Sequence, residues 1–135
     1  MSTKSEQQQV PSLKLAEWNL PGWMQHFDAV KAAPDFHKVI FENDQIRMLF
    51  IEIKPGEEEP IHTHQWKSFL WFANYSPAVY TEFEIDEGDE MIVHKKFDIP
   101  KLDLNTGIEL EAEGAHTVKN IGTDILRLYR MEFKN

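Results

Sequence analysis

Two of the six histidines in this 135-residue chain fall in one short run, GEEEPIHTH at residues 56–64. On a β-strand, side chains two apart point to the same face, so His62 and His64 would project their imidazoles together. Two neutral imidazole nitrogens on one face are half of a transition-metal site. Alone, the pair fits two half-exposed histidines on a polar face equally well. The sequence contains no cysteine, which excludes a disulfide framework, a thiolate zinc site, an iron–sulfur cluster and a cysteine nucleophile. There is also no G-x-S-x-G elbow and no Gly-rich phosphate loop, so nucleophilic hydrolysis and nucleotide chemistry have no carrier.

A third histidine, His116, stands in EGAHTVKNIG at residues 113–122, at the start of a short strand leading into the last one. Together the two segments resemble the two motifs of the cupin family. The first motif reads G-x5-H-x-H-x3,4-E-x6-G, and Gly56, His62 and His64 match it. The second reads G-x5-P-x-G-x2-H-x3-N, and His116 and Asn120 match its last two positions. The intervening region of about fifty residues, with a hairpin around Gly88, is cupin-like as well, and the resemblance spans residues 36–133.

The departures are equally specific. The first motif's Glu should stand at Ser68 or Phe69, and no acidic residue occurs between His64 and Glu82. The first motif's closing Gly is also missing, with Asn74 and Tyr75 near that place. In the second motif Glu111 and Glu113 replace Pro and Gly, with Gly114 one residue later. The resemblance therefore implies a site of three histidines, His62, His64 and His116, without the carboxylate. The metal it implies is a divalent transition ion, iron first, with nickel, zinc or manganese as alternatives. Such a neutral ligand set leaves the ion its full charge and several open positions. By resemblance, the function is that of an iron-type dioxygenase of a small organic molecule. The alternative is a non-catalytic small-molecule binding or sensing module, with or without a structural metal. Acid–base chemistry without metal is the weaker option, because the motifs hold no evident His–carboxylate pair.

If the strand runs on unbroken from Pro60, Trp66 shares the phase of His62 and His64, and Ser68 follows in the place of the absent Glu. Trp66 would then shape a substrate pocket or plug the barrel. On the last strand, Arg127 and Tyr129 share a face with Ile125, Met131 and Phe133, opposite Leu126, Leu128, Arg130 and Glu132. If the first face lines the interior, Arg127 and Tyr129 offer a clamp and a donor for an anionic substrate; otherwise Arg130 points inward. Asn120 is expected to bond backbone at its turn. His94 reads as a surface-strand histidine, His37 as a partly buried polar contact and His26 as a helix residue facing water. The Glu57–Glu59 run reads as a solvated loop.

The elements that must position these groups are short. Runs rich in Val, Ile, Phe, Tyr and Trp occur at 36–42, 46–53, 68–73, 78–85, 91–98, 116–119 and 125–133, separated by Gly, Asn, Asp and Pro turn residues. No long helix interrupts them, so a parallel βαβ sheet is excluded and an antiparallel sandwich or barrel remains. The fold class is all-β: a single cupin-type jelly-roll β-barrel with a short N-terminal arm. Residues 1–12 read as a disordered tail, 13–34 as the arm with a short helix near 23–32, and 35–135 as the barrel. Trp18, Trp23 and Phe27 of the arm are expected to pack on the body. Lys plus Arg number 14 against 23 Asp plus Glu, a net charge of −9. This balance disfavours nucleic acid and anionic membrane surfaces as partners. No apolar run approaches the ~18 residues that span a bilayer. A cytoplasmic homodimer acting on a small molecule is the expectation, its edge strands and arms protected by pairing.

Overall fold

Nine strands and one short helix make up the described residues, 27–134 without Asp89, of a computed structural model. The strands are β1 (His37–Glu42), β2 (Ile46–Ile53), β3 (His62–His64), β4 (Ser68–Asn74), β5 (Ala78–Ile85), β6 (Met91–Asp98), β7 (Gly107–Leu110), β8 (Glu113–Asn120) and β9 (Leu126–Phe133). They form a five-stranded sheet in the order β1-β2-β9-β4-β7 and a four-stranded sheet in the order β3-β8-β5-β6. Every pairing is antiparallel. The jelly roll expected from the sequence is present, as two separate ladders rather than one closed barrel. Among the described residues no helix is long and apolar enough to cross a membrane.

Side-chain alternation explains the core. Along β2 the buried phase is Arg47, Leu49, Ile51 and Ile53, and along β9 it is Leu126, Leu128, Arg130 and Glu132. These phases meet Leu70 and Phe72 of β4 and Ile108 and Leu110 of β7 in one apolar cluster. Leu49, Ile53, Ile108 and Leu126 are at most 1% exposed, each burial stabilising the fold by roughly 1.5–3 kcal/mol. The same two strands then carry charged residues, Arg47, Arg130 and Glu132, into the interior beyond the leucines. β7 had no counterpart among the expected strands, since GIEL offers only two apolar side chains and follows a turn without a strong boundary.

Turn chemistry fixes the approach to the site. Pro55 and Gly56 form the centre of a turn closed by Glu57 N–H to the Lys54 carbonyl at 3.0 Å, and Gly56 takes φ of 84°. That left-handed conformation is open to glycine at no steric cost. Asn120 pins this end of the molecule: its amide donates to the carbonyls of Ile53 and Asp124, both at 2.8 Å, and its Oδ1 accepts from Ser76 and Gly122. The helix α1 (Ala29–Ala32) is one turn long, capped by Asp28, whose carboxylate accepts from Val30 N–H. It covers the last turn of the helix expected at 23–32. The tail, Trp18, Trp23 and His26 lie outside the described residues.

Candidate metal centre

β3 is a three-residue edge strand whose side chains are all buried. His62 faces His116 across β8, but His64 faces Glu113 instead of the residue a regular ladder would give. One extra residue of β8 is absorbed there as a bulge. The bulge turns Glu113 inward although it lies three positions before His116. A fourth histidine arrives from the other sheet: His37, at the start of β1, is 3% exposed and packs against His62 and His64. The ring centroids are 4.6 Å apart for His37 and His62, 5.1 Å for His62 and His64, and 4.3 Å for His62 and His116. Donor atoms of His37, His62 and His64 lie within 4.8 Å of one another, as do those of His64, Glu113 and His116.

The Nδ1 atoms of all four rings are committed. Those of His37, His62 and His116 face the carbonyls of Ala33, Pro60 and Gly114 at 3.1, 2.8 and 2.7 Å. That of His64 faces Glu132 Oε2 at 3.0 Å. A carbonyl can only accept, so Nδ1 carries the proton and Nε2 the lone pair; an ionised Glu132 imposes the same on His64. Burial drives the pKa of His37 down to about 3. It likewise lowers His62 and His64 well below the usual histidine range, with neighbouring imidazoles adding to the effect on His62 and Arg130 to that on His64. For His116 burial also lowers the value, against the pull of Glu113. The Nε2 lone pairs of these buried rings are thus left for another partner.

Charged groups surround this cluster. Burial pushes Glu113 up, but the Arg130 guanidinium, His116 and the Tyr80 hydroxyl outweigh it and hold it below the usual carboxylate range. Glu113 pairs with Arg130 and accepts from Tyr80 Oη at 2.7 Å. Tyr80 also stacks on His116, with centroids 4.8 Å apart and planes within 7°. Glu59 is 3% exposed, 3.6 Å from His37 Nε2 and 3.5 Å from His62 Nε2. Burial, then the charge of Glu113, raises its pKa well above normal. Behind His64, Glu132 also accepts from Arg47 Nε at 2.5 Å, and Arg47 reaches Asp28 with both terminal nitrogens at 3.1 Å.

A cavity of about 70 Å³ adjoins the histidines, walled by Ile51, Ile53, Leu70, Phe72, Leu126 and Leu128, with Tyr80, Glu59, Glu113 and Arg130 as its polar lining. Since one water needs about 10–15 Å³ on this scale, the space suits a molecule of a few heavy atoms. His62, His64 and His116, the ligands implied by resemblance, all line this cavity, with ring centroids 4.3–5.5 Å apart, but the donor sets within 4.8 Å divide them between His37–His62–His64 and His64–Glu113–His116. Trp66, Ser68, Arg127 and Tyr129 do not line the cavity. β3 ends at His64 and the phase is lost, so half-buried Trp66 sits under Arg47, 5.0 Å from its ring centre. Ser68 is buried on β4 opposite Glu132. Arg127 and Tyr129 occupy the outer face of β9, where Arg127 binds Glu52 at 2.8 Å and Tyr129 stacks on Trp71. Of the two faces left open by the sequence, the one carrying Arg130 is the interior.

The solvated reading of the glutamate run holds for Glu57 and Glu58, which are exposed, and fails for Glu59, whose backbone N–H is drawn in by the Val118 carbonyl at 3.1 Å. His37 belongs to the cluster rather than to an isolated polar contact. His94 is on the surface beside Glu84. Glu113 and Arg130 did carry a signal, as the residue replacing the second motif's Gly and as the alternative face of the last strand. Glu59 carried none, being the third of three identical residues.

No protein-family model matches the sequence and no curated protein matches it. Solved structures do. A cupin domain from Bordetella pertussis Tohama I aligns with a TM-score of 0.54 and 13% identity over 74% of this chain and 93% of its own. A protein from Bacillus halodurans aligns at 0.53 and 17% identity over 88% and 83%. An RmlC-like cupin family protein with a double-stranded β-helix fold, from Methanocaldococcus jannaschii, aligns at 0.50 and 13% identity over 73% and 78%. Paired antiparallel sheets, two histidine segments on neighbouring strands and these structural likenesses agree on one architecture: the chain has the cupin fold.

Proposed function

We propose that this protein is a metal-dependent enzyme, an iron-type dioxygenase of a small organic molecule, with His62, His64 and His116 as ligands to a divalent transition metal. The observation that carries the reading is the clustering of buried donor atoms: those of His37, His62 and His64, and those of His64, Glu113 and His116, lie within 4.8 Å of one another, an arrangement that a cation between them would stabilise. The donor set fits the group: imidazole nitrogen suits iron, nickel, zinc and copper, and each Nδ1–H is held by an acceptor of the kind that orients metal-binding histidines. When bound, such an ion supplies a Lewis acid and, for iron, one-electron chemistry toward O₂.

The chain's own residues define what else the site does. The leucine and isoleucine walls exclude bulk water and take the apolar part of a substrate. Arg130 Nε is buried without a hydrogen-bond partner among the described residues, which makes it the anchor for a polar or anionic head. Tyr80 holds its proton between its own oxygen and Glu113, its pKa raised well above normal by burial and then by that carboxylate, so it acts as a donor and not as a base. Glu59 adds a buried carboxyl group beside His37 and His62.

Metal content by mass spectrometry on untagged protein, with His62→Ala and His116→Ala alongside, tests the reading. About one iron, nickel, zinc or manganese per chain, lost in both variants, supports it and directs a screen for O₂ consumption. No metal after anaerobic reconstitution with Fe²⁺ would overturn it in favour of a metal-free binding module.

A further inference from the structure

Reading the cluster as a metal centre, we infer that His37 is a fourth imidazole ligand, delivered by β1 from outside both histidine segments. Its ring is buried against those of His62 and His64. Its Nδ1–H is fixed on the Ala33 carbonyl at 3.1 Å, so Nε2 is the nitrogen offered to the other two. Two nitrogens bound to one ion at ~2.1 Å are separated by about 3.0 Å when adjacent and 4.2 Å when opposite. The donor atoms of His37, His62 and His64 already lie within 4.8 Å of one another, so closing the set takes at most about 1.8 Å between adjacent donors, under an ångström from each ring.

The competing occupant is Glu113, which satisfies the same distance criterion with His64 and His116. Both of its oxygens are engaged, one by Tyr80 and the other by Arg130, and recruiting it would strand a buried guanidinium. His37 Nε2 stands 3.6 Å from Glu59, beyond hydrogen-bond distance. It can move onto an ion without leaving a partner behind.

Four imidazoles leave two of six octahedral positions for substrate and a second small molecule. The geometry also ties the centre to the helix that precedes the sheets. Ala33 caps the C-terminal end of α1 and holds His37, while Asp28 caps its N-terminal end and holds His64 through Arg47 and Glu132.

Cobalt(II) titration of the metal-free full-length chain, read by visible absorption, tests the assignment in wild type, His37→Gln, His37→Ala and His116→Ala. The expected result is one Co²⁺ per wild-type chain, affinity at least tenfold weaker in both His37 variants, and a changed d–d band where any binding persists. His37→Gln keeps the space filled should His37→Ala fail to fold. Wild-type affinity or an unchanged band in His37→Gln, with binding lost in His116→Ala, would overturn the fourth ligand and leave the three-histidine centre intact. Absence of Co²⁺ from wild type, or binding indifferent to His116→Ala, would overturn the metal centre itself.

Discussion

Replacing Arg47 with methionine removes a cation shared by two buried carboxylates. Arg47 is 7% exposed, Asp28 7% and Glu132 0%. Its three nitrogens make three charge-assisted hydrogen bonds, at 2.5 Å to Glu132 and 3.1 Å twice to Asp28. Methionine keeps much of the apolar stem but gives up the guanidinium's place over the Trp66 ring, so the perturbation is chiefly the charge. Removing one partner of a buried ion pair costs about 3–5 kcal/mol, because the survivors stay desolvated. That is a large share of the 5–15 kcal/mol typical of a domain. Protonation of Glu132, whose pKa burial already raises while Arg47 pulls it down, limits the loss to the lower part of that range. It also weakens the acceptor that orients His64, and loss of such support typically costs 10–100-fold in metal affinity. Urea unfolding of metal-free protein at neutral pH measures the first effect, and a competition titration with a chromophoric chelator the second. A loss below 1 kcal/mol at unchanged m, together with wild-type metal affinity, would refute the assignment of Arg47 as the link between α1 and the centre.

Glu132→Gln isolates the tautomer: its amide oxygen goes to Arg47, its NH₂ faces His64 Nδ1, and the ring proton shifts to Nε2. Metal affinity should fall about 10–100-fold with the circular dichroism spectrum unchanged, and undiminished affinity would show that Glu132 does not set the His64 proton. Metal-free stability should fall as pH drops below 6.5. Histidines with lowered folded-state pKa refuse protons that the unfolded chain accepts, so their stabilisation is complete above the unfolded value and is lost toward the folded one, about 3 for His37. Each such group contributes a slope of about 1.4 kcal/mol per pH unit in that window. Glu59 and Glu132, both shifted upward by burial, have the opposite slope above the ordinary carboxylate value and offset part of it there. Urea midpoints flat from pH 7.5 to 5 would contradict a buried neutral cluster. Leu126→Ala, at a position 1% exposed, should cost about 2–5 kcal/mol. Because Leu126 walls the cavity without holding a histidine, metal affinity in the folded variant should stay within about twofold.

Most strands were legible because their apolar runs sit between strong turn residues: β2, β5 and β6 have the boundaries that the sequence suggests. Histidines 62, 64 and 116 were legible because strand geometry and motif spacing both point to them. His37 was not, since its place in the cluster depends on two sheets meeting and on a carbonyl four residues away closing its ring orientation. Trp66 was misplaced by a parity argument that holds only while a strand continues, and β3 stops at His64. Glu113 depends on a bulge that no local pattern announces.

The last strand shows why buried charge is the hardest feature to read. One phase of β9 offers Ile125, Tyr129, Met131 and Phe133 with a single arginine; the other offers two leucines, an arginine and a glutamate. Counting apolar residues selects the first phase as interior, and the structure selects the second. The first phase is not left in water: Tyr129 packs against Phe50 at 5.2 Å and Trp71 at 5.6 Å on the outer surface of the five-stranded sheet. An aromatic ladder on the outside gains stability from cross-strand contacts without entering the core. The inner phase tolerates Arg130 and Glu132 because each meets an opposite charge from a strand far away in sequence, Glu113 on β8 and Arg47 on β2. Neither ion pair exists until the sheets have formed, so the sequence of β9 alone cannot reveal that its charges are matched. The residues that depart most from an ordinary strand pattern therefore lie where the fold places the histidines, and their cost is part of the cost of burying that cluster.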